Sequence, residues 1–112
     1  MTLQELQEYG ADTADGMERC MNNEGFYFKM IGMALNDGSF DKLGGELQAE
    51  DLDSAFETAH ALKGVYGNLA LTPIFEPIQE ITENLRSRTK MDYAPLYAKA
   101  KEKRDELIAK WS

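Results

Sequence analysis

Residues 52–69 decide the fold of this chain, and they read Leu-Asp-Ser-Ala-Phe-Glu-Thr-Ala-His-Ala-Leu-Lys-Gly-Val-Tyr-Gly-Asn-Leu. Their apolar side chains recur at intervals of three and four residues, the spacing that places side chains on one face of an α-helix. A half-buried strand would instead need apolar and polar residues in alternation. The run therefore predicts an amphipathic helix with one apolar stripe. The stripe consists of Leu52, Ala55, Phe56, Ala59, Leu62, Tyr66 and Leu69.

The rest of the chain also favours helices over strands. Valine, a strong strand former, occurs only once, and no run of four or more residues alternates apolar with polar side chains. Thr72 followed by Pro73 is typical of a helix start with Thr72 as the N-cap, and Pro95 suits the first turn of the last helix. Thr2 and Glu5 have the spacing of a capping box. We predict helices over about 2–9, 13–22, 24–36, 39–49, 51–69, 72–89 and 92–111.

The last three predicted helices each carry an apolar face, and connections of two or three residues join them. Such helices pack as antiparallel neighbours, so the sequence predicts an all-α protein built on an antiparallel up-and-down four-helix bundle. With 112 residues the chain has the length of one domain, and no second domain is expected. Residues 24–111 are assigned to the bundle, and residues 1–22 to short additional N-terminal helices that cap it.

The composition argues against several classes of function. The 20 acidic residues outnumber the 12 basic ones, and the net charge of -8 disfavours binding to nucleic acid or to an anionic membrane surface. No apolar run approaches the roughly 20 residues of a bilayer-spanning helix. The N-terminus lacks the basic and apolar regions of a secretory signal, and the single Cys20 suits a reducing compartment. We therefore expect a soluble, cytoplasmic protein with no membrane or nucleic-acid partner.

The charge is unevenly distributed along the chain. Residues 1–85 hold 16 acidic and 4 basic side chains, whereas residues 86–112 hold 4 acidic and 8 basic ones. The simpler interpretation is that the last helix has a solvated, salt-bridged face. The alternative is a weak docking role for this basic helix.

The only histidine, His60, lies in the decisive run. At about 100° per residue it falls beside the apolar stripe, on the shoulder of the helix, so its imidazole is expected to meet water. Gly64 and Gly67 follow on the same shoulder, where each glycine costs about 1 kcal/mol of helix stability relative to alanine. They indicate either close packing against a neighbouring helix or a smooth surface that lets another protein approach His60.

Lys63 lies one turn after His60 and is the only basic residue between Lys42 and Arg86. One interpretation is an ordinary surface salt bridge to Glu57 or Asp53, which would contribute little. The other is that its ammonium group attracts a transient anion beside the imidazole. Neutral imidazole is a nitrogen nucleophile near pH 7, so these residues can carry a phosphoryl group. The chain has no glycine-rich nucleotide loop, which argues against a kinase.

At these residues the sequence resembles the histidine-containing phosphotransfer (HPt) domains of two-component phosphorelays. The family motif is His-x-x-Lys-Gly with a small residue three positions later, and His60, Lys63, Gly64 and Gly67 match it. The resemblance implies a four-helix bundle in which His60 is the phosphoacceptor and Lys63 stabilises the charge of the phosphoryl group. It also implies a partner-binding surface. That surface comprises Gly64, Gly67, Ala61 and Asn68.

The resemblance further implies the partners. His60 would exchange phosphate with the receiver domain of a response regulator and with a hybrid histidine kinase, as a carrier without turnover of its own. No intrinsic cofactor is expected, since the receiver domain would bring the Mg²⁺. Many family members have Gln or Glu twenty-two residues after the histidine to orient the imidazole. Here that position is Thr82, and Gln79 one turn earlier is the other candidate for this role.

Two other functions remain open from the sequence. A non-catalytic helical adaptor could bind a receiver domain through the same surface without transfer of phosphate. A carboxylate-rich, metal-binding bundle is the weaker alternative, because the chain lacks repeated Glu-x-x-His pairs and has a single cysteine and a single histidine. No metal site is therefore predicted.

Overall fold

The computed structural model describes residues 1–111, which form seven α-helices and no strand. The prediction of an all-α protein is confirmed, and each predicted helix has a counterpart. Within this part of the chain, no helix has the combination of length and apolar character that crossing a bilayer requires. The helices are α1 (Leu3–Tyr9), α2 (Thr13–Arg19), α3 (Glu24–Leu35), α4 (Ser39–Gln48), α5 (Leu52–Asn68), α6 (Thr72–Arg86) and α7 (Ala94–Lys110).

The starts of the helices follow local sequence signals, with one correction. Thr2 and Glu5 form the predicted capping box, in which each side chain binds the backbone N–H of the other residue at 3.1 Å. Pro73 lies in the first turn of α6, as predicted. The prediction that Thr72 is the N-cap is wrong, because Thr72 is already helical and the cap is Leu71, whose side chain cannot accept a hydrogen bond.

Two helices end three residues earlier than predicted. After α2, Met21 and Asn22 have left-handed backbone conformations with φ of 57° and 55°, which stop the helix. Arg88, with φ of 51°, does the same after α6, and its guanidinium donates a hydrogen bond of 2.7 Å to the carbonyl of Leu85. The connection from α6 to α7 therefore covers residues 87–93, and the prediction of a two- or three-residue connection is wrong there.

Helices α4 to α7 form the four-helix bundle. α5 packs between α4 and α6, while α7 packs against α6 and touches α4. The predicted up-and-down four-helix bundle is confirmed. In its centre the rings of Phe40 and Tyr66 meet edge-on at a centroid distance of 6.3 Å. The large buried side chains of the bundle are Phe40, Leu43, Leu62, Tyr66, Ile74, Ile78, Ile81, Leu85 and Leu107.

The first two helices and the loop between them are anchored on the bundle by hydrogen bonds to its backbone. The hydroxyl of Tyr9 donates to the carbonyl of Lys103 in α7 at 2.6 Å. The backbone N–H of Asp12 donates to the carbonyl of Ala70, in the loop that joins α5 to α6, at 3.0 Å. α2 therefore lies against the C-terminal end of α5, a few residues beyond His60.

The basic side chains of α7 are largely paired with acidic residues of the same helix. Lys101 binds Asp105 at 2.9 Å, and Lys103 binds Glu106 at 3.4 Å. The guanidinium of Arg104 pairs with Asp105 at 3.5 Å and also lies over the ring of Phe40, 4.5 Å from its centroid. These contacts favour a solvated, self-paired face on α7 over a docking surface.

Candidate functional site

His60 is exposed on α5, as predicted, while its neighbour Ala59 and the nearby Leu62 are buried in the bundle. Its ring stacks on the ring of Phe56, one turn earlier, at a centroid distance of 5.8 Å and an interplanar angle of 25°. Within residues 1–111 the imidazole makes no hydrogen bond, so this aromatic contact is what orients the ring.

Phe56 is half-buried and is covered by two cations from the end of α6 and the residues that follow it. The guanidinium of Arg86 lies 5.3 Å from the ring centroid of Phe56, and that of Arg88 lies 4.9 Å from it. Cations at such distances are attracted to the face of an aromatic ring. Sequence reasoning placed Phe56 in the core stripe and missed its role as the support of His60. An aromatic residue one turn before the histidine was the available signal.

Neither of the two candidates for a side chain that orients the imidazole forms a hydrogen bond with it within residues 1–111. Thr82 is fully buried, and its hydroxyl donates to the carbonyl of Ile78 at 2.7 Å, so it faces the core. Gln79 is exposed and forms no hydrogen bond with His60. In this structure neither residue takes the orienting role that the resemblance implied.

Lys63 forms an ion pair across the α5–α6 interface. Its ammonium nitrogen lies 3.0 Å from Oε1 of Glu83, and Nε of Arg86 lies 3.2 Å from Oε2 of the same carboxylate. The hydrogen bonds from Lys63 and then Arg86 lower the pKa of Glu83 below its ordinary value. The carboxylate is therefore charged and bound through both oxygens.

The predicted salt-bridge partners of Lys63, Glu57 and Asp53, are wrong. Lys63 lies on the side of α5 that faces α6, so its partner comes from the neighbouring helix rather than from its own. Asp53 pairs with Arg88 instead, at 2.7 Å. Because Glu83 and Arg88 both lie outside α5, spacing along α5 carried no signal for either pair.

The two glycines after His60 have different surroundings. A Cβ atom added to Gly64 would meet nothing within 4 Å, so this residue borders open space. A Cβ atom on Gly67 would lie 3.0 Å from the ring of Phe75 in α6, which is tight packing. The interpretation as a smooth surface fits Gly64, and the interpretation as close helix packing fits Gly67. Ala61 is exposed beside them.

Asn68, at the end of α5, is exposed but engaged by the N-terminal part of the chain. Its side-chain oxygen accepts a hydrogen bond of 3.2 Å from the guanidinium of Arg19 in α2. Arg19 also binds Asp15 at 3.1 Å. The structure thus brings α2 next to the predicted partner-binding surface, which sequence analysis did not foresee because residues 1–22 were assigned only a capping role.

A groove of about 480 Å³ runs along this side of the molecule. His60, Lys63 and the two glycines line it from α5, α2 supplies its acidic wall, and the start of α6 supplies its floor. Its chemistry is that of one nucleophilic imidazole, two cations and two carboxylates. The remaining lining residues are Asp12, Asp15, Arg19, Asn68, Ala70, Thr72 and Phe75.

No metal-binding cluster occurs in the part of the chain that the structure describes, since groups of three or more His, Cys, Asp or Glu side chains close enough to hold an ion are absent from residues 1–111. Cys20 is buried and is not one of the residues that line the groove.

Fold and site together define a helical bundle that presents a single exposed histidine on a central helix. The family model of the Hpt domain matches residues 33–110, which include α4 to α7, and the chain belongs to this family. No curated protein and no solved structure matches the chain. Hpt domains function in phosphotransfer within two-component systems. α1 and α2 lie outside the matched residues, although α2 contributes to the groove.

Proposed function

We propose that this protein is a histidine phosphocarrier that accepts a phosphoryl group from the aspartate of one receiver domain and donates it to another. His60 is the acceptor. The observation that carries the proposal is the exposure of the only histidine, which lines a groove on α5 in a chain that belongs to the Hpt domain family. On this proposal the partners are a hybrid histidine kinase and a response regulator, and the protein works in the cytoplasm.

The transfer is a nucleophilic displacement at phosphorus. The imidazole nitrogen without a proton attacks the aspartyl phosphate, the N–P bond forms, and the bond between phosphorus and the carboxylate oxygen breaks. The carboxylate leaves with the bonding electrons, and the second imidazole nitrogen keeps its N–H. The reverse sequence on a second receiver domain regenerates neutral His60. Mg²⁺, expected in the receiver's acidic pocket, would supply charge neutralisation.

Positioning accounts for most of the catalysis in such a transfer, because nucleophile, phosphorus and leaving oxygen must be in line. The stacked Phe56 fixes the direction of the imidazole. The open space at Gly64 admits the backbone of the receiver domain. The sequence contains no glycine-rich nucleotide loop, which argues against a kinase and supports the proposal of a carrier.

The test is a transfer assay with purified receiver domains from the same genome, each phosphorylated with ³²P-acetyl phosphate and Mg²⁺. Label is expected to move to this protein as an acid-labile, alkali-stable phosphohistidine. His60→Gln should abolish labelling, whereas Glu57→Gln, an exposed change on the same helix, should leave it intact. Retention of label in His60→Gln would refute the assignment.

A non-catalytic adaptor is the second candidate. It is favoured by the ion pair of Lys63 with Glu83, because an adaptor needs no cation beside His60. Two measurements on the parent and on His60→Ala separate the adaptor from the carrier. The first is the affinity for an unphosphorylated receiver domain, measured by calorimetry, and the second is signal output in a reconstituted pathway. Equal binding and equal signal output in a reconstituted pathway would establish the adaptor, and lost output with retained binding would establish the carrier.

A further inference from the structure

Lys63 connects the groove to a carboxylate outside it. The residue lines the groove together with His60, but its ammonium group is bound to Glu83, which does not line the groove. The side chain of Lys63 is only 25% exposed, so the ammonium is held against α6 rather than extended into solvent. In the unphosphorylated protein, the cation expected to assist His60 is thus engaged elsewhere.

If Lys63 leaves Glu83, the charge of the carboxylate is still partly neutralised by a second cation. Its second oxygen accepts a hydrogen bond of 3.2 Å from Nε of Arg86, one turn later on α6. The carboxylate therefore keeps one cationic partner when the other departs. Lysine is suited to such an exchange, since its ammonium is a point charge on a flexible stem that can be redirected by rotation about single bonds.

We propose that Glu83 is a positioning residue that holds Lys63 on α6 while His60 is unphosphorylated and yields it to the phosphoryl group after transfer. The inference rests on the proposed function and adds a residue outside the motif to it. A phosphoryl group carries close to two negative charges at neutral pH, whereas Glu83 carries one and shares it between two cations. The phosphoryl group is therefore the stronger competitor for Lys63.

The exchange has an energetic consequence for the direction of transfer. On this proposal the ion pair between Lys63 and Glu83 breaks when Lys63 binds the phosphoryl group. The net stabilisation of the phosphorylated state is therefore smaller than the new contact alone would provide. This keeps phosphohistidine close in free energy to the aspartyl phosphates of the partners. A carrier that must both accept and donate needs such a balance.

The experiment measures the equilibrium distribution of ³²P between His60 and the receiver domain identified by the transfer assay. Four proteins form a double-mutant cycle: parent, Glu83→Gln, Lys63→Gln and the double variant. Exposed ion pairs are individually weak, so Glu83→Gln should shift the distribution toward phosphohistidine by up to about fivefold. In the Lys63→Gln background the same change should have no effect.

Glu80→Gln is the matched control, because Glu80 is exposed on the same helix and takes part in no ion pair among residues 1–111. It removes the same charge and should leave the distribution unchanged. An equal shift in Glu83→Gln and Glu80→Gln overturns the inference, and so does a Glu83→Gln shift that persists without Lys63. If no receiver domain labels His60 in the parent, the proposed function itself fails and this inference fails with it.

Discussion

At the scale of single residues, the side chain that directs His60 is Phe56. Stacking between the two rings limits the rotation of the imidazole. The nitrogen atoms of the imidazole have no hydrogen-bond partner within residues 1–111. A hydrogen-bond acceptor would orient an imidazole by fixing the proton on one nitrogen. Stacking on Phe56 orients the imidazole ring without determining which nitrogen carries the proton.

Replacement of Phe56 by leucine is therefore expected to slow phosphotransfer by about three- to tenfold. Aromatic pairs are worth about 0.5–1.5 kcal/mol beyond burial, which matches a rate change of this size. The measurement is the initial rate of label transfer from a phosphorylated receiver domain. Phe26→Leu, an exposed change on α3, is the control and should have the parental rate. Equal rates in both variants would exclude the orienting role of Phe56.

The two glycines of α5 are expected to differ in their effects on stability. Gly64→Ala should raise the free energy of unfolding by about 0.5–1 kcal/mol, because alanine is the better helix former and the new methyl group meets no neighbour. Gly67→Ala should raise it by less or lower it, since its methyl group would press on Phe75 at 3.0 Å. Urea denaturation of both variants tests this. A larger gain for Gly67→Ala would contradict the packing described here.

At the scale of helices, the sequence predicted features that depend on residues within one helix. It did not predict features that depend on contacts between helices. The periodicity of residues 52–69 predicted α5 and the exposure of His60, because both follow from the apolar stripe. The left-handed residue Arg88, the partner Glu83 of Lys63 and the position of α2 all depend on how helices meet, which no interval in the sequence encodes.

The acidic wall that α2 adds to the groove is expected to influence the choice of partner. Arg19 is the cation of that wall, so Arg19→Glu should leave its carboxylates unbalanced and weaken binding of a receiver domain with an acidic pocket. We expect an increase in Kd of about tenfold that diminishes at high salt. Lys29→Glu on α3 makes the same charge change outside the groove. An equal loss of affinity in both variants would indicate net charge as the cause.

At the scale of the whole molecule, buried tyrosines join the N-terminal helices to the bundle. The hydroxyl of Tyr27 donates to the carbonyl of Leu69 at 2.7 Å, and burial raises the pKa of Tyr27 from 10.0 to about 12. The ring of Tyr27 also occupies the space that a side chain at Gly16 would need. Attachment of the N-terminal helices therefore depends on a neutral phenol.

This dependence predicts how stability varies with pH. Because the pKa of Tyr27 is higher in the folded protein than in the unfolded chain, its contribution is complete below pH 10 and is lost as pH rises toward 12. Tyr27→Phe should cost about 1 kcal/mol at pH 7 through the lost hydrogen bond. Urea denaturation between pH 7 and pH 11.5 should show a smaller alkaline decline for this variant. An identical decline in parent and variant would rule out Tyr27 as its source.

Arg86 has two contacts whose joint effect concerns communication across the molecule. The same guanidinium covers Phe56, on which the imidazole rests, and binds Glu83, which restrains Lys63. The support of His60 and the ion pair of Lys63 therefore both involve Arg86, an exposed residue. An approaching protein that captured Arg86 with a carboxylate of its own would remove one of the two cations over Phe56 and leave the charge of Glu83 to Lys63 alone, before any phosphorus atom had reached the histidine.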